Sequence, residues 1–351
     1  AMVSAPTYDP NLLVGRIRGE NYKKLNADIS KPMLNRALMG QYPPGSIFKV
    51  AQAMTALDLG VITPGSGFVC DKSLVGCHNH PSATCVREAI KMSCNPYFYQ
   101  VYRRVIQQGK NKNIYKDSQY GLTVWHDYMM RFGFGQKFDI DLPKTGMSKG
   151  NIPDTAYYNR WYGKDRWAFS TIYSNSIGQG EVTVVPIQMA NLAAIVANRG
   201  YYVTPHMVRF YGPDSVCDGK YLERHETGIR RELFEIAADG MYDVVHVAGG
   251  TARRARVDGL DVCGKTGTAQ NYGEDHSVFI CFAPKNDPKI AIAVYVENAR
   301  GGGGTWAAPI AGLLAEKYCN GEVKRKDVEK YYREVEPCQK LPLYRVTKKK
   351  K

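Results

Sequence analysis

The sequence predicts an α+β fold in which an antiparallel sheet packs between helices. Two β-rich runs, residues 277–284 and 290–297, are joined by Lys285-Asn286-Asp287-Pro288, a composition typical of a hairpin turn. Apolar residues recur at helical spacing through the middle of the chain. Residues 2–6 have the composition of a short strand, so we expect the sheet to recruit its first strand from the N-terminus.

Three helices are predicted before the sheet, over residues 46–59, 82–94 and 181–198. In the first of them apolar residues follow one another at i, i+3 and i+4, and Gly60 supplies the residue that commonly ends a helix. Residues 107–121, by contrast, are polar and rich in Lys and Asn, which predicts an exposed insertion.

The last third of the chain contains the rest of the sheet and the helix that closes it. Residues 260–270 are first apolar and then polar, which predicts a further strand, and residues 301–304 form a glycine loop before a helix over residues 306–318. Because strands occur near both ends of the chain with helices between them, we expect one large domain over residues 1–319. A basic extension over residues 320–351 would follow it.

The composition excludes some classes of function but does not identify one. The chain has 351 residues, of which 44% are hydrophobic and 23% charged, as in an ordinary globular protein. Lys plus Arg number 47 against 33 Asp plus Glu, a formal net charge of +14 that is concentrated only in the run Lys348–Lys351. No zinc finger, helix-turn-helix or RNA-binding aromatic pattern accompanies this charge. We therefore expect no nucleic-acid partner. An anionic membrane surface or a cell-wall polymer would suit the positive charge as well as a nucleic acid would.

Neither a membrane span nor a signal peptide is evident in the sequence. The longest apolar run lies near residues 290–296 and is far shorter than the roughly 20 residues that a membrane span needs. The first residues, Ala1-Met2-Val3-Ser4, lack the basic and apolar regions of a signal peptide. We expect either a soluble protein or an excised part of a longer one.

The most informative segment for chemistry is Tyr42-Pro43-Pro44-Gly45-Ser46-Ile47-Phe48-Lys49. Pro-Pro-Gly favours a turn, so Ser46 is predicted near a helix N-terminus, where free N–H groups and the helix dipole stabilise a developing anion. Lys49 follows three residues later, on the same helical face. A partly desolvated lysine with a lowered pKa can act as the base that a serine nucleophile needs. Taken alone, the spacing also describes a helix cap followed by a surface lysine.

Two further elements give Ser46 a catalytic context. Ser93-Cys94-Asn95 supplies a hydroxyl able to relay a proton and an amide able to orient a substrate. Lys265-Thr266-Gly267-Thr268 follows an apolar strand, so its side chains are expected to line the edge of a sheet. A second Lys-Thr-Gly, at residues 144–146, follows a loop that ends in proline, and we interpret it as structural.

In this order, Ser-x-x-Lys, Ser-x-Asn and Lys-Thr-Gly resemble the motifs of the penicillin-recognising serine acyltransferases. The chain looks like a class B penicillin-binding protein of the elongation type, the penicillin-binding protein 2 group. The similarity extends to about Cys319 and implies the penicillin-binding-protein/β-lactamase-like transpeptidase fold. Besides the Ser46 and Ser93 segments, the stretches that carry it are residues 1–11 (AMVSAPTYDPN), 177–189 (IGQGEVTVVPIQM) and 264–270 (GKTGTAQ).

The resemblance implies a peptidoglycan D,D-transpeptidase that cross-links stem peptides through an acyl-serine intermediate, with no cofactor for catalysis. Ser46 would attack the carbonyl of the penultimate D-Ala, and Lys49 would take its proton. Ser93 would pass a proton to the leaving amine, and Asn95 would contact the peptide. β-Lactams would acylate Ser46 and be released slowly.

The same resemblance assigns the substrate-binding residues. The backbone N–H groups of Ser46 and Thr268 would form the oxyanion hole, and Lys265 would help to hold the substrate carboxylate and to keep Lys49 neutral. The residues expected to bind the substrate along this strand are Thr266, Gly267 and Thr268.

The resemblance also implies a location and partners. Members of the family carry a cytoplasmic tail, one membrane helix and a pedestal module before this domain, and we expect these parts to be missing from the chain. The expected location is the periplasmic side of the bacterial inner membrane. Expected partners are stem peptides as donor and amine acceptor, β-lactam antibiotics, a membrane glycan polymerase and a scaffold protein of the elongation machinery.

Other functions on the same scaffold stay open at this point. A D,D-carboxypeptidase would use the same motifs, because no motif specifies the acceptor. A β-lactam sensor or a non-catalytic scaffold is the alternative outside the enzymes, and the intact serine and lysine set argues only against an idle scaffold. A class A β-lactamase is disfavoured, since no Glu-x-x-Leu-Asn that would position a hydrolytic water occurs between Ser93 and Lys265.

A cluster of cysteines and histidines lies between the first two motifs, in Cys70-x6-Cys77-His78-Asn79-His80-x4-Cys85. Thiolate and imidazole groups at this density suit tetrahedral zinc, and some elongation-type relatives carry a metal site in this region. We expect Cys70, Cys77, His78 and His80 as ligands, with Cys85 as a rival, in a structural site that leaves no open position. A Cys70–Cys77 disulfide and free packed thiols stay open as alternatives. The cysteines expected to be small buried hydrophobes are Cys94, Cys263 and Cys281.

Overall fold

The computed structural model describes residues 1–212, 216, 218–271 and 273–335. Within these residues a three-stranded antiparallel sheet, in the order β3-β4-β5, is surrounded by helices, and a two-stranded ribbon joins β1 to β2. The strands are β1 (Tyr201–Val203), β2 (Arg224–Glu226), β3 (Cys263–Ala269), β4 (His276–Ala283) and β5 (Ile290–Val296). The helices are α1 (Arg18–Ala27), α2 (Arg36–Met39), α3 (Lys49–Asp58), α4 (Val86–Met92), α5 (Asn95–Ile106), α6 (Ile114–Arg131), α7 (Thr155–Tyr162), α8 (Phe169–Ile172), α9 (Pro186–Ala197), α10 (Arg231–His246), α11 (Ala307–Asn320) and α12 (Lys326–Glu334).

The central strand β4 is buried along its whole length. Helices α9 and α11 pack against β4 and β5, and α10 packs against β3. The register places Lys265 of β3 opposite Ile280 of β4, and Ile280 opposite Ala293 of β5. The α+β class, the hairpin between β4 and β5, and the closing helix are therefore confirmed.

The predicted N-terminal strand is wrong. Residues 2–6 pair with no strand of the sheet among the described residues, and β3 rather than this segment forms the edge of the sheet. Val3 is 84% exposed, whereas Met2 is partly buried and packs against the hydrophobic core without a strand partner. The segment is also attached through Ser4, whose hydroxyl donates to the Leu34 carbonyl and accepts from the Arg36 N–H, both at 3.0 Å.

The predicted helices exist with shifted boundaries. Residues 45–48 form a 3-10 turn before α3, so the helix proper begins at Lys49. The second helix covers only Val86–Met92, and a separate helix, α5, which the sequence analysis missed, begins at Asn95. The third begins at Pro186, because residues before it form bridges with Asn151 and Tyr42 and are extended.

The predicted exposure of residues 107–121 is confirmed for residues 109–116, but the segment is not all loop. Its second half is the start of α6, and the loop before α6 is tied to the buried carboxylate of Asp117. This carboxylate accepts backbone N–H bonds from Gly109, Lys110 and Asn111 at 2.8–3.3 Å. The polar composition serves this local hydrogen bonding, which makes the loop look like a solvated insertion in the sequence.

The helix that begins with Lys49 is buried almost all round, from Lys49 to Leu57. It packs against α5, α6 and α10. Its Gln52 amide donates to the Asn175 carbonyl at 2.9 Å and accepts from the Trp125 indole N–H at 2.8 Å. A helix held on all sides gives a rigid support for the residues at its first turn.

The predicted extension after residue 319 begins against the domain. Arg325 forms an ion pair of 2.8 Å with the buried carboxylate of Glu316, and the Tyr332 hydroxyl donates to the Thr305 carbonyl at 2.7 Å. Residues 336–351, including the run Lys348–Lys351, lie outside the described residues. Among the helices of the described part, none combines the length and the apolar character that a membrane crossing requires.

Candidate active site

Ser46 lies in the 3-10 turn that leads directly into α3. The turn buries Gly45, Ile47 and Phe48 but leaves Ser46 partly exposed, so its hydroxyl is accessible from solvent. The turn packs against β3 at Gly267, where a Cβ atom would lie 2.9 Å from the Pro44 carbonyl oxygen. Glycine at this position therefore permits the close approach of the strand to the serine turn.

Lys49 reaches from the first turn of α3 to the junction between α4 and α5. Its amine donates to the Ser93 carbonyl at 2.7 Å, to the Ser93 hydroxyl at 3.3 Å and to the Asn95 side-chain oxygen at 2.5 Å. Ser93 ends α4 with φ 57°, a left-handed conformation that turns the chain toward Lys49. The first two motifs are thus joined by hydrogen bonds to one amine.

The third motif reaches the same hydroxyl from the sheet. The Lys265 amine donates to the Ser93 hydroxyl at 2.8 Å and to the Thr266 carbonyl at 3.1 Å. Both Lys49 and Lys265 have 0% exposed surface. Two buried amines that donate to one serine hydroxyl form a candidate proton-transfer centre, and Lys49 follows Ser46 by three residues at the start of α3.

Burial controls the charge of both amines. It lowers the pKa of Lys49 to about 7, although the nearby Cys77 and Cys94 sulfurs act in the opposite direction. Burial also lowers the pKa of Lys265 well below its usual value, and repulsion from Lys49 adds to this effect. Near neutral pH a substantial fraction of Lys49 is therefore unprotonated and able to accept a proton.

The residues predicted to bind substrate lie on β3, which forms one edge of the described sheet. Thr268 is exposed, whereas Thr266 is buried and its hydroxyl lies 2.7 Å from the hydroxyl of Thr251. Thr251 was missed in the sequence analysis because it belongs to no motif and follows α10 by several residues. The edge strand leaves room for an extended peptide to pair with it.

The second Lys-Thr-Gly lies elsewhere and differs in form. Residues Lys144–Gly146 form a single 3-10 turn, and Lys144 pairs with Asp139 at 2.8 Å with both side chains more than half exposed. The interpretation of this segment as a structural loop is confirmed.

Three cysteines and one histidine form a compact cluster. One of its members, Cys94, was predicted as a small buried hydrophobe and not as a ligand. The ligand atoms of Cys70, Cys77, His80 and Cys94 all lie within 4.8 Å of one another. This group includes neither the predicted ligand His78, whose Nδ1 lies 3.9 Å from the Cys77 sulfur, nor its rival Cys85; it includes Cys94, which is buried as predicted. Cys85 precedes α4 at its N-cap, whereas Cys94 is brought to the cluster by the junction between α4 and α5.

This cluster, termed the Cys3His cluster below, has the donor chemistry of a zinc site. The His80 ring lies with Nε2 3.2 Å from the Cys77 sulfur and 3.6 Å from the Cys70 sulfur, while Nδ1 contacts the Pro81 carbonyl at 2.6 Å. An Nδ1–H that donates to a carbonyl leaves Nε2 as the free ligand atom. Cys70 and Cys77 are free cysteines here. Three sulfurs and one imidazole nitrogen fit tetrahedral zinc.

The Cys3His cluster and the catalytic centre meet at Asn95. The Asn95 backbone N–H donates to the Cys77 sulfur at 3.4 Å, and its side-chain amide donates to the Gly76 carbonyl at 2.6 Å. Hydrogen bonds with the Cys94 thiol, His78, Asn95 and His80 lower the pKa of Cys77, although its partial burial acts in the opposite direction. Asn95 is thus held on one side by the cluster and on the other by Lys49.

Comparison with known proteins places this arrangement in a family. A family model described as the penicillin binding protein transpeptidase domain matches residues 1–316. The chain is 32% identical to the peptidoglycan D,D-transpeptidase MrdA of Haemophilus influenzae, covering 94% of this chain and 52% of that protein. The chain spans about half the length of the curated MrdA relatives that it matches.

Solved structures agree with the sequence comparison. The crystal structure of Pseudomonas aeruginosa PBP2 in complex with WCK 5153 matches with a TM-score of 0.76 and 32% identity, over 92% of this chain and 72% of that one. The complex between PBP2 and MreC from Helicobacter pylori matches with a TM-score of 0.70 and 25% identity, over 94% of this chain and 57% of that one. With the family model covering nearly all of the described residues, the chain belongs to the penicillin-binding protein transpeptidase domain family.

Proposed function

We propose that this chain is the catalytic part of a peptidoglycan D,D-transpeptidase of cell-wall elongation and a target of β-lactams. The observation that carries the proposal is the convergence of two buried lysines on the Ser93 hydroxyl, beside the partly exposed Ser46 and the edge of β3. The MrdA relative is named as an enzyme of this activity, and it supports the same assignment here.

Acylation begins with the transfer of the Ser46 proton to unprotonated Lys49. The Ser46 oxygen then forms a bond with the carbonyl carbon of the penultimate D-Ala. When the tetrahedral intermediate collapses, the bond to the terminal D-Ala nitrogen breaks, and the Ser93 hydroxyl gives that nitrogen its proton. Lys49 returns a proton to Ser93 across their 3.3 Å contact, which restores neutral Lys49 beside an acyl-Ser46.

The negative charge that develops on the carbonyl oxygen of the tetrahedral intermediate is stabilised where the Ser46 turn meets β3. We assign the oxyanion hole to the backbone N–H groups of Ser46 and Thr268, an interaction that commonly contributes about 10²–10³ in rate. Lys265 keeps the Ser93 oxygen in place through its 2.8 Å bond, and with Thr266 and Thr268 it attracts the substrate carboxylate. An amine of a neighbouring stem peptide then attacks the acyl carbonyl carbon and loses a proton to Lys49. The bond from that carbon to the Ser46 oxygen breaks, and Lys49 returns the proton to the oxygen, which regenerates Ser46 and neutral Lys49.

The Cys3His cluster is proposed to hold a structural zinc ion through Cys70, Cys77, His80 and Cys94. Its four protein ligands leave no position for a substrate, so its contribution is to fix residues 70–94 and the Asn95 backbone. The Cys3His cluster and the catalytic centre, which are joined at Asn95, then support Lys49 together.

The relatives also support proposals about the partners and the location of the longer protein. The Helicobacter pylori PBP2 relative forms a complex with MreC, and we propose a scaffold of this kind together with a membrane glycan polymerase for the longer protein. We likewise propose that an N-terminal membrane helix holds this domain on the periplasmic side of the inner membrane.

The test is the intact mass of the protein after incubation with penicillin G, followed by peptide mapping. We expect a stable adduct on Ser46 that is absent in Ser46→Ala and present in the control Ser148→Ala. Incubation with a D-Ala-D-Ala stem peptide and an acceptor amine should release D-Ala and give the cross-linked product. A folded protein that forms no adduct would contradict the mechanism, and hydrolysis alone would identify a D,D-carboxypeptidase.

A further inference from the structure

We propose that Gln179 occupies the substrate's hydrogen-bonding position on β3 in the free protein and has to give it up when substrate binds. The inference rests on the proposed function. It assigns a specificity-determining residue that lies outside the three motifs. The observation behind it is that the Gln179 side-chain amide donates to the Thr268 carbonyl at 3.2 Å.

The Thr268 carbonyl lies at the place where a substrate has to bind. Thr268 is exposed on the edge strand, and its carbonyl oxygen would be 2.6 Å from a Cβ atom on Gly45, the residue before Ser46. The carbonyl therefore faces the serine turn rather than β4. A polar side chain placed on this carbonyl competes with any ligand that uses it.

Gln179 is held at this place by the backbone around it. The Gly45 N–H donates to the Gly178 carbonyl at 2.9 Å, and the Gln179 N–H donates to the Ser174 carbonyl at 3.2 Å. Gly178 has φ +69°, and a Cβ atom there would lie 2.4 Å from the Gly45 carbonyl oxygen. The segment is thus attached to the serine turn itself, so the Gln179 amide has a short and defined reach to Thr268.

Strand geometry explains why the substrate needs the same carbonyl. In a hydrogen-bonded antiparallel pair, two opposite residues exchange both N–H···O bonds. If the Thr268 N–H donates to the scissile carbonyl in the oxyanion hole, the N–H of that same substrate residue points at the Thr268 carbonyl. The carbonyl oxygen has two lone pairs, so the inferred competition is for the one that faces the serine turn, where both the substrate amide and the Gln179 amide would donate.

Two β-lactams distinguish this competition from a general effect on the site. Penicillin G carries an acylamino N–H next to its β-lactam carbonyl, in the position of the substrate N–H. Imipenem carries a hydroxyethyl group there and has no such N–H. Removal of the Gln179 amide should therefore favour penicillin G and leave imipenem almost unaffected.

The experiment compares acylation rates of both compounds in wild type, Gln179→Met and Gln179→Ala, measured by intact mass at timed intervals. We expect the rate ratio of penicillin G to imipenem to rise about threefold to tenfold in both variants, the size of one ordinary hydrogen bond. Gln107→Met, a partly buried glutamine at the end of α5, is the matched control and should leave the ratio unchanged.

Each other outcome overturns the inference. An unchanged ratio would mean that Gln179 does not compete, and a selective loss for penicillin G would mean that it helps to bind the ligand. Equal loss of both rates in both variants would assign it a structural role. If wild type forms no adduct with either compound, the proposed function itself fails, which is a distinct result.

Discussion

The catalytic centre and the Cys3His cluster are neighbouring regions with very different predictability. The lysines of the catalytic centre are fully buried, whereas Cys70, Cys77 and His80 of the cluster are partly exposed. Both regions contact Asn95, which accepts from the Lys49 amine and donates to the Cys77 sulfur. In the catalytic centre, Lys49, Ser93, Asn95 and Lys265 come together as predicted. In the cluster, three of the four predicted ligands, Cys70, Cys77 and His80, lie together, whereas Cys94 stands in the place predicted for His78 and the rival Cys85 stays apart.

The difference in predictability between the two regions shows which kind of site a sequence motif can specify. A single catalytic motif is not specific, as the second Lys-Thr-Gly at residues 144–146 shows, but the three motifs in their order indicate one chemistry. The cluster offers several chemically equivalent thiols and imidazoles close in sequence. Which of them turn inward depends on the path of the chain and on the junction of two helices. Three predictions test whether the two regions really differ in this way.

The prediction with the largest expected effect compares the two Lys-Thr-Gly segments through the acylation rates of their lysine variants. Lys265→Met should slow acylation by penicillin G by at least about 100-fold, because Ser93 loses the bond that holds its hydroxyl and the substrate carboxylate loses a hydrogen-bond donor. Lys144→Met, which removes an exposed lysine from the other segment, should change the rate less than about twofold. Timed intact-mass measurements give both rates. Equal effects would mean that β3 has no special part in the catalytic centre.

The second prediction concerns the ligand that the sequence analysis missed. Cys94→Ala should lose bound zinc and lower Tm by more than roughly 5 °C, because the binding energy of a structural metal contributes to folding. Cys85→Ala should keep its zinc. Zinc content measured by mass spectrometry decides the assignment, since either substitution can cost some stability through packing. Loss of zinc in Cys85→Ala with retention in Cys94→Ala would reverse it.

The smallest expected effect tests the residue that the two regions share. Lys49 has to be unprotonated to act as a base, so with its pKa near 7 the acylation rate should rise with pH and level off above about pH 8. Asn95→Asp places a carboxylate beside the Lys49 amine and should raise its pKa, which moves the rise to higher pH by about one unit or more. Rates measured between about pH 5 and pH 9 show the shift. A flat profile, or a shift to lower pH, would contradict the role of Lys49.

The sequence alone determined the chemistry of the active site and the class of the fold. Ser46, Lys49, Ser93 and Lys265 could be assigned because reactive residue types occur in a fixed order with a turn, a helix and a strand around them. The hairpin of β4 and β5 could be assigned because alternating apolar runs and a turn need no distant partner to be identified.

Tertiary structure alone decided which residues complete these sites and which segments join the sheet. Residues 2–6 form no strand because no partner strand lies beside them among the described residues, although Met2 packs against the core. For residues 114–121 the helix signal is local and was missed, since the Asn113 side chain caps the helix by accepting from the Tyr115 and Lys116 N–H groups. Cys94, Thr251 and Gln179 reach their positions through contacts between segments far apart in the chain. Such contacts depend on three-dimensional packing, which residue spacing does not record.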